Sequence, residues 1–98
     1  MVAQQTRDYE LVMVLSPEAT EEEIGSTVER VDGLITEGGG SVGDHETWGL
    51  KRLAFPVRKF QEGNYVLTRF ALGPPELMEL SRVLNASDDI LRFLVTKV

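Results

Sequence analysis

The chain contains no cysteine, one histidine and no apolar run near the ~20 residues that a membrane-spanning helix needs. Without cysteine there is no disulfide framework. The one imidazole, His45, stands between Asp44 and Glu46. A single ring with strand-alternating neighbours supplies neither the convergent ligands of a metal site nor a nucleophile to activate, so no catalytic residue, metal or cofactor is expected. Cations are also scarce, 10 Lys and Arg against 16 Asp and Glu, for a net charge of −6. Such a balance opposes strong phosphate binding by the chain as a whole. Residues 1–7 lack the cationic start and apolar core of a secretory signal, which favours the cytoplasm. No linker or low-complexity tract divides the 98 residues, which suit one domain over 1–98 with residues 1–6 as a loose tail. That length buries one core but not a core and a deep cleft together.

What is present is an ordered alternation of periodicities. Asp8 to Leu15 is strand-like, with Tyr9, Leu11, Met13 and Leu15 on one face, and Ser16-Pro17 ends it. Thr20 followed by Glu21, Glu22 and Glu23 is a capping-box signature with its acids where the helix dipole favours them. Ile24, Val28, Val31 and Ile35 then recur at helical spacing until Gly38-Gly39-Gly40 stops the run. Ser41 to Val57 is extended, Lys59 to Gly63 supplies turn chemistry, and Asn64 to Leu72 returns as the second arm of a hairpin. Gly73-Pro74-Pro75 sets up a second helix over 76–85 with Leu77, Leu80 and Leu84 as its stripe, and 90–98 closes the chain as a strand.

The order β-α-β-β-α-β predicts an α+β, ferredoxin-like plait: a four-stranded antiparallel sheet of order 4-1-3-2 with both helices on one face. The other face is then open. If Leu11, Met13, Phe70, Leu72, Phe93 and Val95 point toward the helices, alternation sends Val12, Val14, Leu67, Arg69, Arg92 and Leu94 away from them. In the second strand Leu53 and Phe55 suit the core, leaving Trp48, Leu50 and Arg52 outside. Val42 has the opposite parity to Leu53, which predicts a bulge near Gly43 or Gly49. The open face then carries an apolar patch of Val12, Val14, Trp48, Leu50, Leu67 and Leu94 ringed by Arg52, Arg69 and Arg92, which is expected to be a protein-binding surface.

The charge is unevenly spread. Residues 1–47 carry −9, residues 48–72 carry +4 and residues 73–98 carry −1, so a basic patch lies inside an acidic chain. It centres on G-L-K-R-L-A-F-P-V, Gly49 to Val57. That motif, with Tyr9-Glu10 opening the first strand, Lys59 and Gly63-Asn64-Tyr65 leading into the third, and Val95-Thr96-Lys97 at the end, resembles the bacterial small-subunit ribosomal protein six family along the whole chain. The resemblance implies a structural component of the small ribosomal subunit in the cytoplasm. It also implies a protein that pairs with ribosomal protein eighteen and, as that pair, binds the central domain of the small-subunit ribosomal RNA. The RNA-facing cations would be Arg7, Lys51, Arg52, Arg58, Lys59, Arg92 and Lys97.

Two features depart from the family. Residues 1–6 carry no Lys or Arg where many members begin with a basic stretch, and the third strand, N-Y-V-L-T-R-F, has fewer aromatics than some. Other functions of the same fold need residues absent here. That strand lacks the aromatic run of an RNA-recognition module, and the loop L-S-P-E-A-T is too acidic for the phosphate cradle of an acylphosphatase. Gly38 to Gly40 lacks the Lys-Ser/Thr sequel of a phosphate loop. The alternative from a different class is a small-molecule regulatory or homodimeric interaction domain. It would pair sheets, whereas the ribosomal reading expects a monomer in isolation.

Overall fold

Alternation along Tyr9, Leu11, Met13 and Leu15 sends four large apolar side chains to one side of an extended segment. In the computed structural model, which describes residues 6–57 and 59–98, that segment is β1 (Arg7–Leu15). It lies inside the sheet, antiparallel to β3 (Phe60–Leu72) on one side and to β4 (Ile90–Lys97) on the other. The edge strand β2 (Ser41–Val57) completes the order β2-β3-β1-β4, which read from the other edge is the expected 4-1-3-2. The proposed loose tail, residues 1–6, falls outside the described residues except for Thr6.

Helix α1 (Glu21–Glu37) begins where the capping box closes: Thr20 Oγ1 accepts from the Glu23 amide at 3.1 Å, and the Glu23 carboxylate accepts from the Thr20 amide at 2.8 Å. It ends at Gly38, whose amide donates to the Leu34 carbonyl, and the chain then passes through Gly39 at φ 87°. Gly40 brings the backbone against β3, since a Cβ there would overlap the Ala71 carbonyl. Helix α2 (Pro74–Asn85) starts two residues before the expected Glu76, because Pro74 and Pro75 need no amide donor in the first turn and their fixed φ suits it.

The helices and one face of the sheet enclose a core of Leu11, Met13, Leu15, Val31, Ile35, Val66, Phe70, Leu72, Leu80, Leu84 and Ile90. Ile24, Val28 and Leu77 of the predicted helical stripes, together with Phe93 and Val95, pack against it half-buried. Thr68 sits in the same face opposite Leu11, fully buried, with its hydroxyl lacking a partner among the described residues. Two polar ties fasten α1 to its neighbours. His45 Nε2 lies 2.9 Å from Asp32 Oδ1, and Asp89 accepts from the Thr27 hydroxyl at 2.7 Å and from Arg30 at 3.0 Å. Partial burial pushes the Asp89 carboxyl up, but the bonds from Thr27 and Arg30 outweigh it and hold the group below its ordinary value.

Beyond the Leu15–Asn64 pair, β1 ends and the β2–β3 hairpin continues alone as a two-stranded ribbon. Its tip is tighter than the turn expected over 59–63. Glu62 and Gly63 remain paired with Arg52 and Lys51, and Val57 pairs with Phe60 across the turn, where Lys59 adopts φ 72°. Arg58 lies outside the described residues.

The predicted parity change in β2 occurs at both glycines, with register shifts between Val42 and His45 and between Thr47 and Gly49; a third falls between Arg52 and Val57. The second bulge, with Gly49 at φ 79°, corrects the face assignment beyond it. Gly49 pairs with Tyr65 on the open face, so Lys51 shares that face with Trp48, whereas Leu50 and Arg52, paired with Asn64 and Glu62, turn to the helix side. Leu53 and Phe55 are not core either. Leu53 approaches Gly63 on the open side half-buried, and Phe55 is 71% exposed, because among the described residues no helix extends over the ribbon.

Candidate docking face and cationic hairpin

The open face is assembled by cross-strand pairing. Val12 of β1 pairs with Leu67 of β3 and Leu94 of β4, forming an apolar row across the three strands. One step along, Val14 lies between Tyr65 and Arg92. The row is uneven in exposure: Leu94 is 63% exposed and Val12 half-buried, but Val14 and Leu67 are only 4% exposed. The expected apolar patch is therefore open at Leu94 and Trp48 and closed at its centre, Val14 and Leu67. Val14 also leans over Gly63, where a Cβ would overlap its Cγ1.

On β2 the bulge brings Trp48 over Tyr65, with ring centroids 6.4 Å apart and planes 16° from parallel. The Lys51 ammonium stands 5.3 Å from the Trp48 centroid, and the indole N–H reaches Glu46 at 3.4 Å. Trp48 is held on its inner side and remains 41% exposed. Tyr65 was missing from the sequence-derived patch, although it shares parity with Leu67 and Arg69 and alternation alone would have found it.

The two ends of this face differ in charge. At one end Arg69 is gripped by Glu10 at 3.0 Å, Asp44 at 2.8 Å and Glu46 at 2.7 Å, three carboxylates on one guanidinium. The bonds from Glu46, then Glu10 and Asp44, push its already high pKa higher. Arg69 is thus no free cation, and its surroundings carry net negative charge. At the other end Arg92 and Lys51 flank the Val14–Tyr65 row, with Arg52 and Lys59 further out on the ribbon.

Six of the seven cations assigned to RNA share one property, Arg58 lying outside the described residues. Among the described residues Arg7, Lys51, Arg52, Lys59, Arg92 and Lys97 form no ion pair, whereas Arg30, Arg69 and Arg82 each hold a carboxylate. The structure does not bring all six together. Arg7 and Lys97 lie toward the opposite end of the sheet, about 23 Å and about 17 Å along the strands from Val14 at ~3.3 Å per residue. Lys51, Arg52, Lys59 and Arg92 form the nearer group.

A ferredoxin-like plait whose described residues leave one sheet face uncovered, with an apolar row between an acidic and a cationic end, presents a candidate docking face. The model of the family described as ribosomal protein S6 matches residues 8–97. The chain is 45% identical over 92 residues to small ribosomal subunit protein bS6 of Moorella thermoacetica, covering 94% of each. It is 42% identical to that of Caldanaerobacter subterraneus, covering 93% of this chain and 96% of that one. In structure it is similar to the crystal structure of 30S ribosomal protein S6 from Thermotoga maritima, with a TM-score of 0.87 at 29% identity, covering 96% of this chain and 89% of that one. The chain belongs to the ribosomal protein S6 family. It is a structural constituent of the small ribosomal subunit in the cytoplasm and not an enzyme.

Proposed function

We propose that the protein, acting as one domain and monomeric before assembly, binds the central domain of the small-subunit ribosomal RNA jointly with ribosomal protein eighteen. The observation that carries this reading is the separation of unpaired from paired cations. Lys51, Arg52, Lys59 and Arg92 are available to phosphate or to an acidic partner, while Arg69 is neutralised within the sheet face. The apolar row of Val12, Leu67 and Leu94 with the outer face of Trp48 receives the protein partner. Leu50 and Arg52, turned to the other side by the bulge, meet whatever contacts the hairpin from the helix side. With a net charge of −6 the chain alone binds RNA weakly, so assembly is cooperative with a more basic partner.

The test measures assembly of Lys51→Glu and Arg52→Glu, singly and together, onto the RNA across a salt series with the partner protein present. Loss of affinity with a salt slope lowered by about 0.7–0.9 per contact assigns that residue to phosphate. Loss of affinity at constant slope assigns it to the protein partner. Unchanged affinity and slope in the double variant, with normal melting, overturns the role of the hairpin. Quenching of Trp48 fluorescence reads the open face directly: shielding must rise when the partner is added.

A further inference from the structure

On the side of the sheet away from the open face, the first turns of α1 leave a groove of about 600 Å³ against the β2 edge. That volume falls within the ~300–1,000 Å³ of clefts that bind ligands. Its floor is apolar, formed by Ile24 and Val28 of α1 and the buried Val66 of β3. Gly25 lines it without a side chain. A Cβ at that position would meet nothing within 4 Å, so no steric conflict requires glycine there. Glycine inside a helix costs roughly 0.5–1 kcal/mol relative to alanine, so helix stability does not call for it either.

The rim is acidic. Glu21 and Glu29 line it with Glu22 adjacent, and none of the three forms an ion pair among the described residues. Helix α1 carries six carboxylates and a single cation, Arg30, which is held by Asp89. The one basic ring in the groove wall, His45, is occupied by Asp32. A nucleic acid is repelled from such a rim, and a second copy of this chain has only its hairpin ribbon to offer, since the rest of it carries −9.

We propose that this groove docks an extended basic segment of another protein, one bulky apolar side chain resting on Ile24, Val28 and Val66 while flanking Lys or Arg residues meet Glu21 and Glu29. The site is separate from the open face and does not depend on the RNA-binding reading.

The probe is the peptide acetyl-Lys-Arg-Leu-Arg-Lys-amide, titrated into the isotopically labelled full chain and followed by amide chemical shifts. Saturable shifts confined to residues 21–29, 45–47 and 66 are expected. Gly25→Lys, which fills the groove with bulk and like charge while improving helix propensity, should weaken binding about tenfold or more without lowering Tm. Replacing the peptide's leucine by glycine should weaken it roughly fivefold or more through lost apolar burial. Glu21→Gln with Glu29→Gln should flatten its salt dependence. Equal binding of the glycine peptide, shifts that map to the open face, or wild-type affinity in Gly25→Lys each overturn the proposal. So does a sedimenting mass that rises with concentration for the wild type but not for Gly25→Lys, since the occupant is then a second copy.

Discussion

The same two strands, β2 and β3, build both the base of the sheet and the ribbon that extends from it, yet the two regions behave oppositely. At the base, Leu11, Met13 and Leu15 of β1 and Val66 of β3 are at most 2% exposed under the helices. On the ribbon Leu50 is 53% and Phe55 71% exposed. Residues 50–63 carry a net charge of +3, and the remaining residues carry −9. The difference comes from what surrounds the strands: α1 and α2 over the base with β1 paired beside it, and, among the described residues, no further element at the tip. A two-stranded ribbon is marginal by itself and depends on the base for its register. Stability is concentrated in one region and unneutralised positive charge in the other.

The largest expected break in that contrast is Leu11→Ala, which should cost about 2–5 kcal/mol in urea denaturation, while Phe55→Ala on the ribbon should stay within ~0.5 kcal/mol. A comparable loss from Phe55→Ala would mean that the ribbon is packed. Gly63→Ala strikes the junction. Its Cβ would overlap Val14 Cγ1 and approach the Leu15 carbonyl at 3.1 Å, so a loss of roughly 1–3 kcal/mol is expected, read as a shift in denaturation midpoint at unchanged slope. Thr68→Val should act in the opposite direction, raising stability by about 1 kcal/mol in the same assay by removing a buried hydroxyl without a partner.

Asp89→Asn is the smallest and is read against pH. Because the folded carboxyl titrates below its ordinary value, its contribution is present in full above the unfolded value of ~3.9 and is lost as pH falls through the lower folded value. The variant should be less stable than the wild type at neutral pH and converge with it in strong acid. A gap of constant size throughout would remove the carboxylate from the explanation.

The plait itself was legible because its signals are local. Thr20 and Glu23 mark the start of α1, Gly38 marks its end, and alternation along β1 fixes the buried face. The hairpin was harder. Gly43 and Gly49 advertised a parity change, but their positions do not say which of them shifts the ladder, and both do. Leu53 and Phe55 were misassigned because apolar alternation reports which residues would suit a core, not whether a helix reaches far enough to cover them. The shielding of Val14 and Leu67 and the three-carboxylate grip on Arg69 depend on cross-strand neighbours distant in sequence, such as Asp44 and Glu10.

The bulge at Gly49 makes the ribbon's presentation a matter of residue count. A β-branched residue at that one position, which resists φ 79°, would leave Lys51, Arg52, Leu53 and every other tip residue in place chemically, with the charge of the segment untouched. If the bulge straightened with no residue lost, the ladder beyond would turn over by half a period, carrying Arg52 and Leu50 to the side of Trp48 and Lys51 and Leu53 to the reverse. A partner that reads this surface therefore reads an odd-or-even number as much as a set of side chains, and a single substitution that straightened the bulge would invert the display while the base of the fold stayed intact.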